Sequence, residues 1–166
     1  MTNLRFVFGL VVLVGPTQQL AADQFSYGDK EPAGVHDERF EGKHCRVSVS
    51  GPTSGSCVKG RYDEPEGELR IAVDRLSHLT VSGRARKVVI MYVDLNCSVD
   101  LSQLEIGTGG VEIRSVSRRS NAKIGRCDGP VTIKSVDEGS AILLQPRTTV
   151  IGRNKFFGGS HLFFEK

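Results

Sequence analysis

No stretch of the sequence is long and apolar enough to cross a membrane. The one apolar run, Phe6 to Val14, falls well short of the about 20 residues that a spanning helix needs. Zinc-finger spacing is missing as well. CxxC does not occur, and His36, His44, His78 and His161 form no close quartet with the cysteines. There is no GxSxG nucleophile elbow, no phosphate loop and no dinucleotide fingerprint. The basic residues carry no interleaved aromatics, so base stacking on nucleic acid is not indicated. These gaps predict no cofactor, no metal and no nucleic-acid partner.

The apolar run has a different use. It follows a short segment containing Arg5 and precedes a polar stretch ending in Ala21 and Ala22, the order of a secretory signal peptide. Residues 1–22 are therefore read as a leader, leaving 144 of 166 residues for one secreted or periplasmic domain. No cysteine follows the run to carry a lipid. The four cysteines, Cys45, Cys57, Cys97 and Cys127, predict two disulfides in an exported chain. Three pairings are open, with Cys45–Cys57 and Cys97–Cys127 favoured by proximity in the repeat described next.

A six-residue phrase, "VEIRSV" at Val111, returns as "VTIKSV" at Val131. Similar phrases begin at Cys45, Leu69 and Val88, at intervals of 24, 19, 23 and 20 residues. Each alternates with period two, so its first, third and fifth side chains share one face. The first column reads Cys45, Leu69, Val88, Val111, Val131. The second, Val47, Ile71, Ile90, Ile113, Ile133, is wholly β-branched, as a strand interior prefers. The third reads Val49, Val73, Tyr92, Ser115, Ser135. A second phrase ending in glycine follows in each interval, at Gly60, Gly83, Gly107, Gly125 and Gly152.

Repeats of this length with short strands predict an all-β fold, a short parallel β-helix of about five coils. An antiparallel β-sandwich is the alternative, but it gives no reason for phrases to return in register. Across residues 45–152 the chain resembles short secreted parallel β-helix repeat proteins as a class. The acidic segment 23–44 and the Phe-rich segment 153–166, with Phe156, Phe157, Phe163 and Phe164, are expected to cap the ends. The phenylalanines also offer a surface for self-association.

The resemblance directs attention to carboxylates, because larger parallel β-helices act on acidic polysaccharides. Asp94 and Asp137 fall just past the first strand, two coils or about 9.6 Å apart from the strand spacing. That is near the limit for an inverting glycosidase pair. Asp also commonly ends strands and enters turns, which is the plainer reading. The acidic stretch "RYDEPEGE" (61–68) offers oxygen ligands but no EF-hand spacing, and reads as a solvated loop.

The densest basic loop, "SVSRRSNAK", holds Arg118, Arg119 and Lys123. With Arg126, Arg114 and Lys134 it predicts a basic side that contacts an anionic glycan or cell-surface polymer. Residues 69–166 carry fifteen Lys/Arg against nine Asp/Glu, a net of +6, which is in the right direction but modest. The expectation is an exported binding or scaffold protein, not an enzyme. The alternative is a polysaccharide hydrolase or lyase using Asp94 and Asp137.

Overall fold

The computed structural model describes residues 24–27, 35–51, 55–152 and 155–166. The leader expected over 1–22 lies outside them. In chain order the strands are β1 (Gln24–Tyr27), β2 (Val35–Phe40), β3 (His44–Ser50), β4 (Cys57–Asp74), β5 (His78–Val93), β6 (Ser98–Ile113), β7 (Asn121–Ile124), β8 (Val131–Ile133), β9 (Ala141–Leu144), β10 (Val150–Ile151) and β11 (His161–Phe164). Among the described residues there is no helix, and all strands join one parallel sheet wound as a β-solenoid of about six turns, against the five expected. The parallel pairing throughout removes the antiparallel sandwich. Pairing also runs beyond 45–152 at both ends, to β1 and β2 on one side and β11 on the other.

Two walls follow from the pairing. One passes from β1 and β3 through the second halves of β4, β5 and β6 to β8 and β10. The other passes from β2 through the first halves of β4, β5 and β6 to β7, β9 and β11. The repeated phrase lies directly on itself: Val111 pairs Val131, Glu112 pairs Thr132 and Ile113 pairs Ile133.

The first two sequence columns form as drawn. Cys45, Leu69, Val88, Val111 and Val131 are buried, as are Val47, Ile71, Ile90, Ile113 and Ile133. The opposite wall supplies Val58, Leu79, Val99, Ala122 and Ile142. Each fully buried Val, Ile or Leu contributes roughly 1.5–3 kcal/mol. A coil of about twenty residues has too few of them to stand alone, so its stability comes from its neighbours.

The third column differs from the expectation. Its buried members are Val49, Val73, Val93, Val116 and Val136, not Tyr92, Ser115 and Ser135. A register shift between Ile71 and Ala72 places Tyr92 opposite Ala72 and Val93 opposite Val73. One extra residue, such as Met91, turns the next side chain out of the period-two pattern. Tyr92 is accordingly 39% exposed.

The glycines do not share a register either. Gly60 pairs Val81, whereas Gly83 pairs Tyr62 and Leu104. Gly60 serves a close approach, because the Phe40 ring lies 1.8 Å from where its Cβ would stand. Gly83 has φ of 110° and would place a Cβ 2.1 Å from the Tyr62 carbonyl oxygen.

Neither expected disulfide forms. Cys45 points inward beside Leu69 on one wall, while Cys57 pairs His78 on the other. Cys97 occupies a corner, and Cys127 bridges to Ile106. Four cysteines in four different columns cannot approach along the coil axis.

Replacing Ile113 with Asp places an unpaired carboxylate inside a five-residue aliphatic column, between Ile90 and Ile133. Its expected cost is about 4 kcal/mol or more, whereas Ile113→Val costs about 0.5–1.5 kcal/mol. Urea unfolding of the purified chain distinguishes them: Ile113→Asp gives no cooperative transition, and Ile113→Val keeps the wild-type slope with a lower midpoint.

Candidate functional site

Between the two walls the chain turns through a corner built the same way on successive coils. Two consecutive residues take positive φ: Arg75 and Leu76, Leu95 and Asn96, Arg118 and Arg119, Glu138 and Gly139, Gly158 and Gly159. For a residue other than glycine the left-handed conformation costs about 1–2 kcal/mol. Stacking compensates through the backbone. The N–H groups of Leu76, Asn96, Arg119 and Gly139 donate to the carbonyls of Leu95, Arg118, Glu138 and Gly158 on the next coil.

Beneath each turn lies a buried polar ladder. The Ser77 N–H donates to Cys97 Sγ at 3.2 Å, the Cys97 N–H to Ser120 Oγ at 3.1 Å, and the Ser120 N–H to Ser140 Oγ at 3.1 Å. Ser77, Ser120 and Ser140 are fully buried. A small side chain with one acceptor is what an enclosed N–H requires. Cys97 is thus a member of this ladder. Burial pushes its thiol up, against backbone N–H groups that act the other way.

The same corner brings together Asp74, Asp94, Ser117 and Asp137. The N–H groups of Asp94, Ser117 and Asp137 donate to Val73, Val93 and Val116 in turn, so these residues occupy consecutive coils. Asp94 and Asp137 therefore stand two coils apart with Ser117 between them, as the sequence spacing implied. Their chemistry is unequal. Asp94 accepts from Ser117 Oγ at 2.6 Å and from Arg118 Nε at 2.7 Å, with a second, closer contact from the Arg118 guanidinium. Partial burial alone would raise the Asp94 carboxyl, but the bonds from Arg118 and Ser117 outweigh it and hold the group below the usual carboxylate range. Oδ1 of Asp137, like Oδ1 of Asp74, is buried without a hydrogen-bond partner among the described residues.

Arg118 and Arg119 project from the turn into an open groove of about 610 Å³, lined also by Asn96, Glu138, Gly139 and Gly158. The other four predicted basic residues lie elsewhere on the coil. Arg114 and Lys134 come together on the first wall, where both bind Oε1 of Glu112, at 3.0 and 2.6 Å. The bond from Lys134 leads in holding the Glu112 carboxyl low. Lys123 lies on β7 in the second wall, 2.8 Å from Glu165. Arg126 follows β7 and stands 3.6 Å from Asp128. Five of the six cations thus have an ion-pair partner, and Arg119 has none among the described ion pairs.

The stretch 61–68 is strand rather than loop. Asp63 pairs Arg61 and Arg84, and Glu68 pairs Arg70 and Lys87. Among the described residues no group of three or more His, Cys, Asp or Glu is placed to hold a metal ion.

The corner itself carries a sequence signature that the strand phrases concealed. "VDRLS" at Val73, "VDLNC" at Val93, "VSRRS" at Val116, "VDEGS" at Val136 and "FFGGS" at Phe156 recur at 20, 23, 20 and 20 residues. Valine or phenylalanine ends the column, two left-handed residues turn, and Ser or Cys closes the ladder.

Comparison with protein-family models, with curated proteins and with solved structures returns no match to the chain.

The depressed Asp94 carboxyl fixes the sign of one pH dependence. Its stabilising contribution is complete above the unfolded-state value of 3.8 and is lost as pH falls below that value toward the folded-state one. Asp94→Asn removes this contribution. Denaturant midpoints measured from pH 6 downward should show a shallower acid decline for the variant, the two curves converging at the acid end.

Proposed function

We propose that this is an exported, non-catalytic binding or scaffold protein that offers its left-handed corner to an anionic glycan or cell-surface polymer. The observation carrying this reading is the placement of Arg118 and Arg119 on one turn, laddered to coils on both sides and open to the groove. A fixed backbone spares a ligand the cost of ordering the loop. Arg118 is engaged by Asp94, but exposed ion pairs are worth only about 0–1 kcal/mol, so a sulfate or carboxylate on a polymer can compete for it. Among the described residues Arg119 has no carboxylate partner to leave. Arg114 and Lys134 share Glu112, leaving a net +1 on the adjoining wall for a long chain to reach.

The competing reading, a polysaccharide hydrolase or lyase using Asp94 and Asp137, is less well supported. A hydrolase needs one protonated carboxyl and one free carboxylate turned toward a substrate, and a lyase needs at least one free base there. Asp94 is held ionised against Arg118, and half of the Asp137 carboxylate is enclosed.

Retention on immobilised acidic polysaccharide should fall as salt rises, because exposed charges are screened beyond a Debye length of about 8 Å at physiological ionic strength. The Arg118→Ala/Arg119→Ala double variant should bind at least about tenfold more weakly while still melting cooperatively, with only the small loss of stability that follows from freeing Asp94. Equal binding by that variant contradicts the reading.

The final coil supports a second partner, another copy of the chain. Ile151, Phe157, Phe163 and Phe164 are about half exposed there, and among the described residues β11 pairs only β9. An apolar end with an open strand edge is suited to association. Sizing chromatography of the full chain and of a chain ending at Gly152 separates the roles. A docking surface leaves the shortened chain a stable monomer, whereas a cap leaves it destabilised.

A further inference from the structure

The outer surface of the second wall carries two side-chain columns, about 6.8 Å apart as alternate residues of a strand. One runs Ser98, Asn121, Ala141, His161, and the other Asp100, Lys123, Leu143, Phe163. The second changes from charged to apolar toward the last coil, and the first passes through the small Ala141 before ending on His161. Ala141 is the small member between Asn121 and His161, and it leaves a depression. The result is a groove of about 340 Å³ lined by Ser98, Asp100, Asn121, Lys123, Leu143 and Phe163. That volume lies within the roughly 300–1,000 Å³ of small-ligand sites. Phe163 is 51% exposed and stands at one end of it.

Three of the polar groups around this groove, those of Ser98, Asp100 and Lys123, are held by contacts outside it. Ser98 Oγ shares a 2.7 Å hydrogen bond with His78 Nδ1. Asp100 Oδ1 accepts from the Ser102 N–H at 2.8 Å. Lys123 Nζ is tied to Glu165, whose other oxygen accepts from Gln145 at 2.8 Å. The ring of Phe163 sits 5.5 Å from that of His161. Positions fixed before a ligand arrives lower the ordering cost of binding.

The geometry points to a binding subsite for one neutral pyranose ring on this wall. A pyranose has an apolar C–H face and a rim of hydroxyls. Phe163, Leu143 and Ala141 supply an apolar platform for the first, and Asn121, Asp100 and Ser98 supply donors and acceptors for the second. Charge gives an acidic sugar no advantage here. The two charged lining residues, Asp100 and Lys123, sum to zero, and Lys123 is already paired with Glu165, so the groove suits a neutral ring while the corner attracts a uronic acid or sulfated sugar. The inference stands apart from the corner reading, since none of these residues lines the corner groove.

Saturation-transfer NMR of the full chain with methyl glycosides of glucose, galactose, mannose and N-acetylglucosamine, and with glucuronate, tests the subsite. At least one neutral glycoside should receive saturation on its ring C–H protons, and glucuronate should not compete. Phe163→Ala should lower that affinity at least about tenfold. Ala141→Leu, which fills the depression on an outward strand position, should abolish the signal even if Phe163→Ala perturbs the last coil. Arg118→Ala/Arg119→Ala should leave it unchanged. No saturation for any neutral glycoside, or equal saturation in Ala141→Leu, overturns the inference. So does a dimer on the sizing column that masks Phe163 and excludes every sugar.

Discussion

A single winding of about twenty residues encloses a strip of apolar side chains too narrow to exclude water unaided. In-register stacking removes that problem, because each Val or Ile is covered by its equivalent above and below, about 4.8 Å away. Everything else in the molecule is tied to this constraint. The β-branched column through Ile71, Ile90, Ile113 and Ile133 holds the walls at a fixed separation. The corners then have no freedom in where they begin or end. The same turn must recur on coil after coil, whatever it costs in backbone conformation.

That requirement explains an otherwise unfavourable feature. Seven residues other than glycine accept left-handed conformations at the corners from Arg75 to Glu138. Their cost is met by backbone bonds between coils and by the Ser77–Cys97–Ser120–Ser140 ladder beneath. A turn over-determined in this way is a rigid mount for exposed side chains. Arg118 and Arg119 are set on it, and Asp94 and Ser117 hold the first of them in place. Asp94, one of the two carboxylates that suggested catalysis, thus serves to hold Arg118.

How much of this was legible depends on whether a residue's role was local or between coils. The aliphatic columns could be read because period two and a return of about twenty residues are properties of the sequence itself. The third column differs from the expectation because each of three successive coils carries one extra residue after Ile90, Ile113 and Ile133, which turns the next side chain out of phase, and no local propensity marks a bulge. Gly60 looked like a turn residue but makes room for the Phe40 ring, which comes from the coil before. The cysteines suggested disulfides from number and compartment alone, and their columns keep them apart. The corner phrase recurs five times in the sequence, from "VDRLS" at Val73 to "FFGGS" at Phe156, yet its meaning needed the left-handed pairs to be seen. Ion pairs such as Lys123 with Glu165 join residues two coils apart and leave no trace in local spacing.

Methyl NOE spectroscopy on the isoleucines reaches the stacking order most directly. The account requires the Ile113 methyls to contact those of both Ile90 and Ile133, while Ile90 and Ile133, two coils apart at about 9.6 Å, show no direct contact. Contact between Ile90 and Ile133 without Ile113, or cross-strand Hα contacts of antiparallel type between these segments, would contradict it.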